Sequence, residues 1–91
     1  MNCYVYILQS EVDNSFYKGF TTHPAQRLQQ HYNGETQSAR HLVPWKLVYV
    51  EIFLLKRDAL IREKNLKKAD RSRIIALINS PKNIVYQFIS R

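Results

Sequence analysis

Five side chains of this sequence could together perform acid–base chemistry on a phosphate ester: Tyr6, Tyr17, Arg27, His31 and Glu63. Arginine presents a planar fork of donors that matches phosphate oxygens, and histidine exchanges protons near neutral pH. A phenol can donate or accept a proton, and a carboxylate can bind a divalent metal ion. A metal-assisted phosphodiester hydrolase needs this combination of groups.

Arg27 and His31 fall within a predicted helix over residues 24–33. Pro24 suits its first turn, the threonines before it can cap it, and Gly34 is a natural stop. Residues four apart are neighbours on a helix, so the two side chains could bind one phosphate together. An exposed pair that faces water would have the same spacing.

The two tyrosines belong to a predicted antiparallel hairpin, with strands over residues 3–9 and 15–20. Tyr6 and Tyr17 lie on opposite arms, so their rings could face each other across the sheet. Such pairs are also usual components of a core. Gly19 is harder to explain as core, because glycine weakens a strand and often marks close approach of a ligand or another backbone.

A third strand is predicted over residues 46–53, and both of its faces carry apolar side chains. By simple alternation these are Val48, Val50 and Ile52 on one face, and Leu47, Tyr49 and Phe53 on the other. A strand covered on both sides follows. Residues 56–68 then show a helical pattern, Asp70 to Ser72 supply a new N-cap, and a short helix precedes Ser80-Pro81.

Glu63 stands on the stripe of the predicted helix that carries Ala59, Leu60, Leu66 and Lys67. Pairing with Lys67 four residues later would be a purely structural explanation, worth about 0.2–0.5 kcal/mol. A carboxylate beside apolar groups loses hydration, however, unless a cation or a metal ion meets it. Both interpretations remain open from the spacing.

Composition limits the kind of protein and its partners. The 91 residues suffice for one domain, and a net charge of +7 favours a polyanion, with nucleic acid as the commonest soluble candidate. Residues 56–73 hold eight Lys or Arg and three Asp or Glu. One cysteine, no signal-like start and no long apolar run predict a cytoplasmic protein without membrane insertion, and the Cys and His spacings do not fit structural zinc.

The order of these motifs resembles the GIY-YIG nuclease superfamily. The resemblance rests on Tyr4-Val5-Tyr6, Tyr17-Lys18-Gly19, Arg27 with His31, and a helical Glu63 after a third strand. The wider pattern is similar to the small single-domain UPF0213, or YhbQ-like, branch over about residues 3–78. Two positions depart from the superfamily motif, since Tyr4 replaces a glycine and Lys18 replaces an apolar or small residue.

The resemblance implies an α+β fold, a small three-stranded antiparallel sheet flanked by helices, with the nuclease domain in residues 1–80 and a C-terminal tail, 81–91, that packs on or extends it. It implies catalytic roles for Tyr6, Tyr17, Arg27, His31 and Glu63, and Mg²⁺ or Mn²⁺ bound by Glu63. We expect DNA as partner, contacted by a set of basic residues: Lys18, Arg40, Lys64, Lys67, Lys68 and Arg71. Tyr6, alone or together with His31, would activate the attacking water, and Tyr17 would orient the water or the phosphate. The alternative function is a basic nucleic-acid-binding module without turnover.

Overall fold

The computed structural model describes residues 2–32 and 44–88, except for the side chains of Leu28, Gln29, His31 and Tyr32. The elements, in chain order, are strands β1 (Cys3–Ser10) and β2 (Phe16–Thr21), helix α1 (Pro24–Tyr32), strand β3 (Trp45–Phe53), helices α2 (Lys56–Lys68) and α3 (Arg71–Ile78), and a 3₁₀ turn (Val85–Gln87). The predicted α+β fold is confirmed. None of the helices in the described ranges is long and apolar enough to cross a membrane.

The sheet is antiparallel with the strand order β2-β1-β3, so β1 lies in the centre. A tight turn joins β1 to β2, and Asn14 takes the left-handed conformation there, with φ of 64°. Asp13 supports the turn by accepting hydrogen bonds from the backbone and the hydroxyl of Ser15. The turn fixes the register in which Tyr6 lies opposite Gly19 and Leu8 lies opposite Tyr17.

Each face of the sheet has its own apolar cluster. The face covered by α2 and α3, which we call the helix face, contains Cys3, Val5, Ile7 and Tyr49 with Ala59, Leu66 and Ile74. The opposite face, which we call the tyrosine face, contains Tyr6, Leu8, Trp45, Leu47 and Val50, and Tyr4, Tyr17 and the C-terminal segment pack against it. Because β1 is covered on both sides, its alternate residues serve both clusters.

Strand β3 departs from the alternation predicted from its sequence. Ile7 pairs with Tyr49 whereas the next residue of β1, Leu8, pairs with Leu47, so Val48 is an extra residue in β3. This β-bulge brings Val48 and Tyr49 to the same cluster, while Leu47 and Val50 pack on the tyrosine face. The predicted grouping of Val48 with Val50 was therefore wrong.

The N-cap of α3 agrees with the sequence pattern. Asp70 precedes the helix in an extended conformation, and its carboxylate accepts a hydrogen bond of 2.9 Å from the backbone N–H of Arg73. This bond satisfies one of the unpaired donors of the first turn. The cap starts α3 immediately after α2, which lets Ile74 pack on the helix face.

The segment after α3 is held against β3 by the side chain of Asn83. Its amide nitrogen donates to the carbonyl oxygens of Val48 and Ile78, at 2.9 and 2.8 Å, and its amide oxygen accepts from the backbone N–H groups of Val50 and Val85, at 3.2 and 3.0 Å. Ile84 N–H also donates to Val50 O. The described part of the tail, up to residue 88, thus packs on the tyrosine face.

Candidate active site

Tyr6 extends across Gly19 on the neighbouring strand. A Cβ atom at position 19 would overlap the ring carbon and the hydroxyl oxygen of Tyr6. The side chain of Tyr6 is only 4% exposed. The sequence predicted close approach at Gly19 by a ligand or a backbone, whereas the group that approaches is the phenol ring of Tyr6.

Tyr17 lies beside Tyr6 on the same face. The two rings are stacked with centroids 6.5 Å apart and an interplanar angle of 22°. Tyr17 also meets Trp45 edge to face, with ring centroids 6.1 Å apart. The predicted meeting of the two tyrosine rings is seen, and the indole fixes the second ring from its other side.

The first turn of helix α1 reaches the tyrosine face, where Pro24 and Tyr6 line the same small apolar hollow. Arg27 is half-buried, and no carboxylate among the described residues forms an ion pair with it. Its guanidinium is therefore available to an anionic ligand. His31 lies one helical turn later in α1, but its side chain is outside the described residues.

Glu63 lies in α2 between the two buried residues of that helix, Ala59 and Leu66. Its side chain is 19% exposed, and its carboxylate Oε2 lies 3.2 Å from Lys67 Nζ. The ion pair expected from the spacing is thus present. Lys67 is 59% exposed, so the pair is open to solvent mainly at the lysine.

The charges of both helices act on the phenol of Tyr6. Burial raises its pKa well above the ordinary value of 10.0, and the neighbouring Tyr17 raises it further. Arg27 lowers the pKa and Glu63 raises it again. The pKa of Tyr6 is therefore affected by an arginine of α1 and by a carboxylate of α2, although α2 packs on the helix face of the sheet.

A family model described as the GIY-YIG catalytic domain matches residues 2–76 of the chain. The chain belongs to the GIY-YIG family. A UPF0213 protein of Clostridium perfringens (strain 13 / Type A) is 42% identical over 78 residues, which cover 85% of this chain and 83% of that protein. A UPF0213 protein of Natronomonas pharaonis is 38% identical over 77 residues, with coverage of 80% and 89%.

The fold agrees with a solved member of the same branch. The solution NMR structure of a UPF0213 protein from Bacillus halodurans aligns with a TM-score of 0.60 at 32% identity, covering 90% of this chain and 87% of that one. This GIY-YIG chain is therefore of the UPF0213 type.

In this GIY-YIG site, the carboxylate of Glu63 suits a magnesium ion that keeps water molecules as most of its ligands. The described residues contain no cluster of three or more His, Cys, Asp or Glu that could enclose a metal ion. Mg²⁺, however, keeps several waters and is often bound through one or two carboxylates and a substrate phosphate. Glu63, a carboxylate that is 19% exposed on α2, fits this kind of site.

The basic residues predicted to contact DNA differ in their surroundings. Lys64, Lys67 and Lys68 are exposed on α2. Arg71 instead lies over the Phe16 ring, 4.7 Å from its centroid, and its Nη1 donates to Asn14 O. Lys18 pairs with Ile7 and so stands on the helix face, away from the tyrosine face.

Arg40 lies outside the described residues. Within the basic residues 56–73, Arg62 differs from the exposed lysines because its side chain is largely buried. Its Nε donates to Glu51 Oε1 at 2.9 Å, and both side chains are 19% exposed. Tyr49 donates its hydroxyl proton to the same oxygen at 2.7 Å. This partly buried network was not predictable from the sequence, because Arg62 looks like one more basic residue of α2.

A second feature that sequence reasoning missed is a polar cleft of about 350 Å³ at the start of α1. It is lined by Phe20, Thr21, Thr22, His23, Gln26, Arg27 and Gln30. Polar uncharged residues at this spacing are common on exposed helices. Only the observed turn before Pro24 shows that they surround one opening.

Proposed function

We propose that this protein is a metal-dependent endonuclease that hydrolyses DNA phosphodiester bonds, in DNA processing or repair. The proposal is supported by the stacked pair of Tyr6 and Tyr17 on one face of the sheet, and by Arg27 of α1 and Glu63 of α2, whose charges both act on the pKa of the Tyr6 phenol. Membership of the GIY-YIG family supports the same conclusion. The net charge of +7 suits the polyanionic substrate.

Arg27 would bind the scissile phosphate and stabilise the charge that grows on its oxygens. It has no carboxylate partner among the described residues, so a phosphate does not have to displace one. A Mg²⁺ or Mn²⁺ ion held by Glu63 would supply Lewis-acid stabilisation of the same charge. Lys67, next to Glu63, adds positive charge at the rim of the site.

The raised pKa of Tyr6 makes the phenol a donor at neutral pH. In our proposal Tyr6 therefore hydrogen-bonds to the phosphate or to the attacking water, and Tyr17 orients the same group from the adjacent strand. Because the raised pKa disfavours the phenolate, Tyr6 is poorly suited to act as general base. His31 is the other proton acceptor in the set, with a reference pKa near 6.5.

The decisive test is the substitution Glu63→Gln, which removes the anionic metal ligand and keeps the shape of the side chain. We expect nicking of supercoiled plasmid in Mg²⁺ to fall at least about a hundredfold, because the metal loses its charged ligand. DNA binding in EDTA should stay within about twofold of wild type. Glu11→Gln, at an exposed position of the hairpin, is the matched control.

Arg27→Ala should weaken both binding and cleavage, since the guanidinium meets phosphate in the ground state and in the transition state. Arg57→Ala, with a side chain 79% exposed, serves as its control. If Glu63→Gln cuts like wild type, the proposed metal site is wrong.

The alternative is a nucleic-acid-binding module that uses the same basic surface without turnover. The exposed lysines of α2 favour it, because phosphate contacts alone give salt-sensitive binding. A purified protein that binds DNA and never nicks it with Mg²⁺, Mn²⁺ or another divalent ion would establish this second function.

A further inference from the structure

The polar cleft at the start of α1 adjoins the proposed phosphate site through a shared side chain. Arg27 lines the cleft, and its charge also lowers the pKa of the Tyr6 phenol. If Arg27 holds the scissile phosphate, the group that enters the cleft is the nucleotide next to that phosphate. The inference thus rests on the proposed function and adds a substrate subsite to it.

The lining of the polar cleft does not suit a second phosphate. Apart from Arg27, its polar side chains are two carboxamides, one imidazole and two hydroxyls. Further phosphates are normally met by Lys, Arg or clustered backbone N–H groups. Neutral groups that both donate and accept instead match the edge of a nucleobase, and glutamine in particular offers a donor and an acceptor side by side.

The arrangement of the lining supports one base rather than a longer segment. Gln26 and Gln30 are one helical turn apart on α1, so their carboxamides are neighbours. Phe20, which also packs against the helix-face cluster, adds part of an aromatic ring to the lining, and bases stack on such rings. The volume of about 350 Å³ is at the lower end of about 300–1,000 Å³ for small-ligand pockets.

The turn that forms the wall of the polar cleft is held by its own hydrogen bonds. The backbone N–H of His23 donates to Thr21 Oγ1 at 2.9 Å, and His23 Nδ1 shares a hydrogen bond of 2.9 Å with Thr22 Oγ1. The imidazole is therefore oriented before any ligand binds. Such preorganisation lowers the entropy that binding must overcome.

We propose that the polar cleft binds the base of the nucleotide adjacent to the scissile phosphate, with Gln26 and Gln30 recognising its edge. A base can enter only when it has left the stack, which requires free energy in an intact duplex and much less in single-stranded, branched or damaged DNA. The site should therefore give two properties together: a preference for unstacked nucleotides and a preference for one base beside the cut.

The test compares wild type with the double variant Gln26→Ala/Gln30→Ala on a gapped DNA substrate randomised around the gap, with the cut positions read by sequencing. Wild type should favour one base at one flanking position by about tenfold, as a good carboxamide–base contact would give. The double variant should lose that preference and keep its dependence on Mg²⁺ concentration. Gln87→Ala, an exposed glutamine of the tail, is the control and should keep the preference.

A second measurement separates this inference from the nuclease proposal. Binding of the four 12-residue homopolymeric single strands is measured in EDTA for wild type and the double variant, and the double variant should lose the differences in affinity that wild type shows. If wild type never cuts but this discrimination is present and lost on substitution, the base subsite stands in a binding module. If wild type cuts without flanking preference, or the double variant keeps the wild-type preference or discrimination, the inference is overturned.

Discussion

The two faces of the sheet each contain a buried tyrosine, Tyr6 on the tyrosine face and Tyr49 on the helix face. Their exposed fractions are 4% and 0%, and burial is the main cause that raises the pKa of both phenols. Tyr49 donates to Glu51, whose carboxylate also accepts from Arg62 Nε, so the carboxylate and the guanidinium next to this phenol are paired with each other. The arginine near Tyr6 has no carboxylate partner among the described residues.

The difference shows that a buried phenol with a raised pKa does not by itself mark a functional site. Around Tyr49 a carboxylate and a guanidinium have already paired, and an incoming phosphate would have to break a partly buried ion pair. Around Tyr6 the opposite charges come from separate helices, and Arg27 and Glu63 do not form an ion pair with each other. In our proposal the substrate phosphate meets Arg27 without displacing a carboxylate, whereas a metal ion at Glu63 replaces the solvent-exposed ion pair with Lys67.

Removing each hydroxyl in turn is the strongest test of this contrast. Tyr6→Phe should lower the cleavage rate by a factor of about 10²–10⁴, the range for a group that takes part in proton transfer or orients the reacting groups. Tyr49→Phe should leave the rate per folded molecule within about twofold and lower the free energy of unfolding by about 1 kcal/mol. Plasmid nicking and urea unfolding measure the two effects. If folded Tyr49→Phe cleaves as slowly as Tyr6→Phe, the two tyrosines do not differ in function as proposed.

The paired network should matter for stability in proportion to its burial. Glu51→Ala leaves the Arg62 guanidinium, whose Nη2 is already buried without an acceptor among the described residues, with no counter-charge. Breaking such a pair costs about 3 kcal/mol, seen as a lower urea midpoint at an unchanged slope. Glu11→Ala, at an exposed position, should change stability by less than about 0.5 kcal/mol. Equal effects of the two substitutions would show that the network contributes nothing.

Gly19→Ala tests how tightly Tyr6 is positioned. The added methyl group overlaps the Tyr6 ring, so either the ring or β2 must move, at about 2 kcal/mol of stability. Because the phenol is displaced, nicking at a temperature where the protein remains folded should also decrease. Val12→Ala, at an exposed position of the turn between β1 and β2, should leave the rate unchanged. Full activity in Gly19→Ala would mean that the position of Tyr6 is not critical.

Alkaline pH should give the smallest effect, with a predictable sign. The pKa of Tyr49 is raised from 10.0 to about 12, so its contribution to stability is fully present below pH 10 and is lost as the pH rises from 10 towards 12. At pH 11 the loss amounts to about 1.4 kcal/mol. The free energy of unfolding of Tyr49→Phe should therefore fall less between pH 8 and pH 11 than that of wild type, by this amount. Tyr86→Phe, at an exposed position, should retain it.

Local sequence patterns predicted most of the helices and strands, and they predicted the meeting of the Tyr6 and Tyr17 rings. The hairpin, α1 and α3 follow from β-forming runs, capping residues and Pro24, all of which act over a few residues. The bulge at Val48 was not predictable, because it arises from pairing with a strand some forty positions earlier. The burial of Arg62 depends on Glu51 across the helix–sheet interface for the same reason. The polar cleft depends on how the turn before Pro24 is folded.

The four hydrogen bonds of Asn83 have a consequence for self-association. An edge strand with unpaired backbone groups is a template on which another chain can add a strand. At Val48 and Val50 the pairing capacity of β3 is taken up by an amide side chain and by Ile84 N–H, and an amide cannot continue the ladder. A chain truncated before Asn83 would expose this edge of β3 to a second molecule. Light scattering should then detect association of the truncated protein through its sheet edges, which the full 91-residue chain resists.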